Sequence, residues 1–476
     1  MTEDTVAALG TRLARKDLSP VELVEHCLER CERFNPRVNA LIAVDAHAAR
    51  TAARAAEKRA MDGMRLGPLD GIPVTIKDNI FVRGYAATWG SRLYRDFRPE
   101  RDDICVERLR AAGAVILGKT NTPEFALSPF TDNLVFGATR NPWAPELTPG
   151  GSSGGTVAAL ALGIAPLGVG TDAGGSIRRP ASYAGVVGLR PSTGRVPRAY
   201  GFPPLAHDFQ AIAPAARTVE DVYLLLRAMA GPDARDRLSG VFASLPANLA
   251  DVRRPRMRIR CVLEVGRSPV DPQVKASVEH AAKTLSSLGH AVESGPTPYA
   301  AERIDDIWAT LSAAGLARVL QRHKGWHQDV HPSSKATAER GAAIEATQYF
   351  AALDDVAALR LEFTALFETI DMLLMPASSA LPWPLGQPYP ATIDGRQAGP
   401  RGAALFATFV NAAGLPAISV PGTPAANGLP IGVQLVGRFG DDAAVMALAA
   451  EYEQAQPWAG RWPAIARENA SEKSTT

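Results

Sequence analysis

Thr148-Pro149-Gly150-Gly151-Ser152-Ser153-Gly154-Gly155-Thr156 and, starting at residue 170, Gly170-Thr171-Asp172-Ala173-Gly174-Gly175-Ser176-Ile177-Arg178-Arg179-Pro180 decide how this chain is read. Each segment sets serine in a frame of glycines. Glycine permits left-handed dihedrals and close approach of the backbone to a ligand, so successive N–H groups can converge on one cavity. That is how an oxyanion hole is built. For either segment alone a pair of tight turns is an equally good reading; two such frames so close together favour a site.

Two short patterns compete for the same residues, and each would dictate a different fold. Gly150 to Gly154 satisfies G-x-S-x-G, which would make Ser152 the nucleophile and require a later carboxylate and histidine. Asp208 or Asp251 with His290 or His323 could be offered, but nothing singles them out. Gly168 to Ala173 satisfies G-x-G-x-x-A, yet Pro180 follows soon and Ala181 to Val196 holds no carboxylate to bind a ribose, which excludes a dinucleotide fold.

Outward from this centre the chain reads as a packed, enzyme-sized body: 476 residues, 46% hydrophobic and 21% charged. Length alone gives a prior of roughly three domains, but no repeat and no long linker divides the sequence, so a single domain over 1–476 is expected. A net charge of +2 from 51 basic and 49 acidic residues, interspersed, argues against nucleic acid as a partner. Cys27, Cys31, Cys105 and Cys261 are too few and scattered for a disulfide framework, which fits a reducing cytoplasm. The acidic opening lacks the basic start and apolar run of an export signal. Leu147 to Thr171 is uncharged, but its seven glycines and two prolines make it loop, helix and strand rather than a membrane span.

Ser19-Pro20-Val21-Glu22 is a capping box with a first-turn proline, opening a helix through Phe34. Val38 to Met61 is Ala- and Arg-rich, so residues 1–65 are expected to form a helical cover, with the sheet beginning after it. Gly71 to Val82 reads as β-rich, Asp102 to Ala112 as helix and Ala114 to Leu117 as a buried strand. Arg256 to Leu263, Gln273 to Leu288 and His290 to Glu293 repeat strand, helix, strand. Ala301 to Ile370 is mainly helical; Asp371 to Pro376, Ala417 to Pro421 and Ile431 to Val436 are strands before a helix from Asp442 to Gln454. The polar residues 467–476 are expected to fray.

Further segments complete a pattern: Asp70-Gly71-Ile72-Pro73-Val74-Thr75-Ile76-Lys77-Asp78-Asn79, Gly118-Lys119-Thr120-Asn121, Val187-Gly188-Leu189-Arg190-Pro191, Gly414 to Pro421 and Leu429 to Gly437. With the two serine segments, these resemble the amidase signature family over most of the chain. The resemblance implies an α/β fold, with a large mixed central β-sheet covered by helices on both faces and a signature core over 66–200. It also implies that Ser176 is the nucleophile, Ser152 a bridging serine held by a cis peptide, and Lys77 the base. A lysine can serve as base only where burial keeps it neutral, and Val74 and Ile76 flank it with apolar side chains. The oxyanion hole is expected from the N–H groups of Ala173, Gly174, Gly175 and Ser176, with Ser153 and Asp172 as hydrogen-bonding supports. Gly151, Thr171 and Arg179 fall where substrate would bind; in some family members an arginine this close to the nucleophile holds a substrate carboxylate.

His323, His327 and His331 recur at helical spacing, but Lys-Gly-Trp lies between the first two, with no carboxylate or thiolate at matching reach, and surface histidines at this spacing are common; no metal or cofactor is expected. Cys27 and Cys31 share a helical face as packing thiols. The expected activity is hydrolysis of a small-molecule carboxylic acid amide to carboxylate plus ammonia or amine through an acyl-Ser176 intermediate. One alternative is the glutaminase subunit of a tRNA-dependent amidotransferase, from whose usual pattern Ala173, Arg179 and Tyr183 depart in residue type; another, against which the intact Lys77, Ser152 and Ser176 argue, is a silent binding paralogue. Homo-oligomerisation stays open, and Ala199 to Phe209 with Ala301 to Phe350 are expected to shape the acyl pocket.

Overall fold

A computed structural model describes every residue except Thr2, Arg254 and 469–476. The chain opens with α1 (Val6–Arg15) and α2 (Pro20–Val38), and Ser19 caps the latter in a complete box with Glu22. Asn39 in the left-handed region (φ 52°) ends α2. The chain then forms β1 (Leu41–Val44) before α3 (Ala46–Met61). Residues 1–65 are therefore not only a helical cover. The short run Leu41-Ile42-Ala43-Val44 pairs antiparallel with β3 (Val115–Thr120), where Gly118 has no side chain to strike the Ala43 carbonyl. Four residues of strand between two good helix formers leave no periodic signal.

The other strands follow in chain order: β2 (Pro73–Lys77) before β3, then β4 (Leu167–Asp172), β5 (Val187–Arg190), β6 (Ala211–Ala216), β7 (Arg258–Cys261), β8 (Ala291–Ser294) and β9 (Met372–Pro376). A two-residue hairpin pairs β10 (Thr392–Ile393) with β11 (Arg396–Gln397), and β12 (Ala417–Pro421) and β13 (Gly432–Gly437) complete the set. Eleven of these form one mixed sheet in the order β1-β3-β2-β4-β6-β5-β12-β13-β9-β7-β8. Three neighbours, β3, β2 and β4, run parallel at one end and β9, β7 and β8 at the other; the pairings between these triplets are antiparallel.

Side chains alternate across this sheet. In β9, Met372 and Leu374 join a core with α4 (Ile104–Ala111), α7 (Val219–Met229) and α13 (Asp442–Ala455). Leu373 and Met375 point to a second core with α9 (Ala301–Leu320), α11 (Ala346–Thr369) and α12 (Thr408–Ala413). Helices thus cover both faces, as expected. Of the tail expected to fray, 469–476 lies outside the described residues, while Arg467 ends a short helix and Glu468 pairs with Arg37 at 2.5 Å.

Lys77 and Asp172 are the last residues of two adjacent parallel strands, β2 and β4. The crevice beyond the carboxyl ends of parallel strands is the usual ligand site of an α/β sheet, and both serine segments open into it.

Candidate active site

Lys77 is wholly buried, and its Nζ donates to Ser152 Oγ at 2.7 Å, Ser153 Oγ at 2.9 Å and Thr171 Oγ1 at 3.0 Å. Burial lowers its pKa to about 7, against an opposing pull from Asp172 and Asp78. A neutral amine has two N–H bonds and one lone pair, so one of the three hydroxyls must donate to it. Ser153 uses its own proton on the Thr171 carbonyl at 3.2 Å and can only accept from Lys77. Ser152 Oγ has no other partner among the described residues, which makes it the free donor.

Thr171 faces Lys77 and also accepts from Asn79 Nδ2 at 3.2 Å. It orients the lysine from behind and does not line the cavity where substrate was expected to meet it. Asn79 stands two residues after Lys77 and had no expected role; its side chain is what completes the Thr171 hydroxyl.

Ser152 and Ser153 precede α5 (Gly154–Ala161), and the peptide bond between Gly151 and Ser152 is cis. The Ser153 N–H donates to the Ser176 carbonyl at 3.0 Å, tying the two serine segments together. Ser176 stands just before α6 (Arg178–Ala184) and is 8% exposed, at the wall of a cavity of about 420 Å³. Lys77 and Ser152 are in direct contact; Ser176 Oγ makes no hydrogen bond among the described residues.

Asp172 organises the loop that leads to Ser176. Its wholly buried carboxylate accepts from the N–H groups of Gly175 (2.8 Å) and Ile177 (3.2 Å) and from a fork of Arg178, Nε to Oδ2 and Nη2 to Oδ1, both at 3.0 Å. Burial alone would raise its pKa; the Arg178 charge and hydrogen bonds outweigh that and hold it well below the usual carboxylate range. The Gly175 N–H is thereby committed, so the expected set of four oxyanion donors is reduced to Ala173, Gly174 and Ser176, whose N–H groups have no acceptor among the described residues.

Gly151 also departs from expectation: its carbonyl accepts from Arg179 Nη2 at 3.0 Å, and it sits against the Phe130 backbone rather than in the cavity. Arg179 does line the cavity, with Ser176 and Gly174. Its Nε and Nη1 have no acceptor among the described residues, and burial lowers its pKa to about 10. The wall carries two more arginines, Arg340 and Arg401, the apolar rings of Trp308 and Phe130 and, among the described residues, no Asp or Glu. Residues 301–350 contribute to it as expected, through α9 and α10 (Pro332–Ala342). Residues 199–209 instead line separate clefts, and 126–130 and 388–404, unassigned from sequence, supply the remaining wall.

The three histidines share no helix: His323 meets the Tyr94 hydroxyl at 2.8 Å, His327 stacks on Trp326 and His331 caps α10. Gly325 in the left-handed region breaks the helical spacing. Among the described residues no group of three His, Cys, Asp or Glu could hold a metal ion, and no helix is long and apolar enough to cross a membrane.

The sequence matches the Amidase family over residues 22–446. The amidase-type subunit of glutamyl-tRNA(Gln) amidotransferase from Chloroflexus aggregans (strain MD-66 / DSM 9485) is 35% identical, with 97% of this chain and 98% of that protein covered. Among solved structures, 6-aminohexanoate cyclic dimer hydrolase complexed with substrate superposes with a TM-score of 0.88 at 29% identity, covering 98% of this chain and 99% of that one. A bacterial aryl acylamidase of the amidase signature enzymes gives 0.87 at 28% identity, covering 96% and 99%.

Proposed function

We propose, from the premise that this chain belongs to the amidase family and is a hydrolase of amide C–N bonds, that Ser176 is its nucleophile, Ser152 the relay and Lys77 the base. The observation that carries this reading is the buried 2.7 Å contact of Lys77 with Ser152, a hydroxyl with no other partner among the described residues. Neutral Lys77 takes the proton of Ser152 while Ser152 takes that of Ser176, whose oxygen attacks the amide carbon. The oxyanion forms against the free N–H groups of Ala173, Gly174 and Ser176. As the C–N bond breaks, the proton returns through Ser152 to the leaving nitrogen, and ammonia or an amine departs from acyl-Ser176. Water then repeats the sequence and releases the carboxylic acid. The Ser152–Ser176 hydrogen bond closes when the acyl group occupies the cavity, as such contacts tighten in the substrate complex.

Labelling with a small fluorophosphonate, followed by intact mass and peptide mapping, tests the assignment without a substrate. One adduct on Ser176, absent in Ser176→Ala, is expected. An adduct on Ser152, or none in a preparation that hydrolyses amides, overturns it.

The substrate reading rests on Arg179. Two guanidinium nitrogens without an acceptor, in a wall holding three arginines and no carboxylate, favour a small amide that carries its own anionic group. The Chloroflexus aggregans relative supports a second reading, the glutaminase subunit of an amidotransferase acting with partner subunits. Glutamine, however, brings an α-ammonium for which this wall offers no counter-charge, so the monoamide of a short dicarboxylic acid fits better, cleaved by a free-standing enzyme. The four buried free cysteines suit a cytoplasmic setting. Arg179→Met is expected to lower kcat/KM for a dicarboxylic monoamide about 10- to 100-fold, in line with a lost charged hydrogen bond, and to leave a neutral aliphatic amide within about twofold. Equal losses on both substrates would sink the anion reading.

A further inference from the structure

Asn411 lies far in sequence from both serine segments, yet it is wholly buried against the loop that leads to Ser176. Its Nδ2 donates to Asp172 Oδ1 at 2.9 Å, to the Asp172 carbonyl at 3.0 Å and to the Phe209 carbonyl at 3.2 Å. Its Oδ1 accepts from Arg178 Nη2 at 2.6 Å. Both atoms of the amide are therefore assigned by their partners, and neither orientation could be exchanged without losing all four contacts.

The neighbours of Asn411 on α12 hold the same loop. The Ala407 carbonyl accepts from Arg178 Nη1 and Nη2 at 3.2 and 3.1 Å, and the Ala407 methyl occupies the space in which a Gly175 side chain would stand. From the other side Gln434 of β13 accepts from Arg178 Nη1 at 2.7 Å and donates to the Phe406 carbonyl at 2.8 Å. The guanidinium of Arg178 is thus completely paired, and the Asp172 carboxylate is gripped by Arg178 on one side and Asn411 on the other. What Asp172 holds in turn is the Gly175 and Ile177 N–H groups, one residue either side of Ser176.

We infer that Asn411 is a positioning residue for amide hydrolysis: it fixes the Asp172 carboxylate, and through it aims the free N–H groups of Ala173, Gly174 and Ser176 at the oxyanion. This rests on the proposed role of Ser176. Asn411 touches neither substrate nor the reacting atoms. Its contribution therefore falls on a transition state that needs those donors in place, while substrate binding, made by the cavity wall, is untouched.

The test compares Asn411→Leu, which removes all four hydrogen bonds at similar volume, with Asn411→Asp, which keeps the acceptor for Arg178 and removes both donations to Asp172. Each is expected to lower kcat about 10- to 100-fold, the cost of a small misplacement of catalytic groups. KM should stay within about twofold, the rate of fluorophosphonate labelling at Ser176 should fall in parallel with kcat, and the acid limb of the pH profile, set by Lys77, should not move. A folded variant with unchanged kcat overturns the inference, as does a parallel rise in KM with a displaced acid limb, which marks general loosening of the site. If Asn411→Leu does not fold, Asn411→Asp decides by the same criteria; failure of both to fold assigns Asn411 to the core and overturns it as well. Wild-type protein that hydrolyses amides without an adduct on Ser176 would instead refute the nucleophile assignment, whatever the Asn411 variants do.

Discussion

Lys77→Met lowers kcat/KM by about 10²- to 10⁴-fold, the range over which a positioned general base contributes, and removes the acid limb of the wild-type pH profile. The wild type requires the neutral amine. With the Lys77 pKa brought down to about 7 by burial, activity rises as pH increases through 7 and is lost below it. The thioether side chain fills similar volume and has no proton to exchange, so what activity remains should be flat across that region. Steady-state kinetics from about pH 5.5 to 9, a span that brackets the shifted lysine, on any hydrolysed amide check both parts, and an acid limb that survives in the variant would assign it to another group.

The same substitution separates function from stability, because the lysine is a liability to the fold. Its pKa is about 7 folded against an ordinary 10.5. Between those values the unfolded chain binds a proton that the folded chain does not, so stability from this group rises with pH across the window. Below about 7 both states are protonated and the fold carries the whole penalty of a buried ammonium. Lys77→Met should therefore melt higher than wild type at pH 7, with the gap shrinking as pH approaches 10. Loss of activity together with a gain in melting temperature is the pattern of a strained functional group.

Lys77, Ser152 and Ser176 were legible in sequence because each lies in a dense local pattern: glycine frames around the serines, and a β-rich run ending on the lysine. The structure brings those segments to one crevice because β2 and β4 are parallel neighbours. Residues that work singly from distant segments were not legible. Asn411 sits within Phe409-Val410-Asn411-Ala412-Ala413, and Gln434 within the apolar run from Ile431 to Val436. An amide flanked on both sides by apolar residues must find buried partners, and that was the one available signal; which partners it finds is a tertiary fact. Strand β6 shows the opposite failure. Ala211-Ile212-Ala213-Pro214-Ala215-Ala216 has weak β-propensity and a proline, yet it lies inside the sheet between β4 and β5. Packing on both faces, not local preference, places it there. The roles expected of Gly151 and Thr171 failed for a related reason. Proximity in sequence to the serines did not tell whether a residue faces the cavity or the lysine behind it.

Gly175→Ala is expected to cost about 10²- to 10³-fold in kcat, comparable to removing an oxyanion donor, even though the Gly175 N–H itself points to Asp172 and away from the cavity. The reason is steric. Gly175 has φ +96°, which an L-residue rarely adopts, and an added Cβ would lie 2.5 Å from the Ala407 Cβ, far inside contact distance. The backbone must give, and the atoms that move are the N–H groups of Gly174 and Ser176 on either side. Two separate penalties are involved: the dihedral strain, on the order of 1–3 kcal/mol, and the collision with Ala407. A double-mutant cycle apportions them. Ala407→Gly alone should be nearly neutral for kcat, because its carbonyl still accepts from Arg178. Combined with Gly175→Ala it should recover part of the rate by removing the collision, leaving only the dihedral term. Full activity in Gly175→Ala would mean that the loop tolerates displacement, and the oxyanion assignment to Ala173, Gly174 and Ser176 would fall with it. No recovery in the double variant would place the whole cost in the dihedral angle and show that α12 does not press on the loop through Ala407.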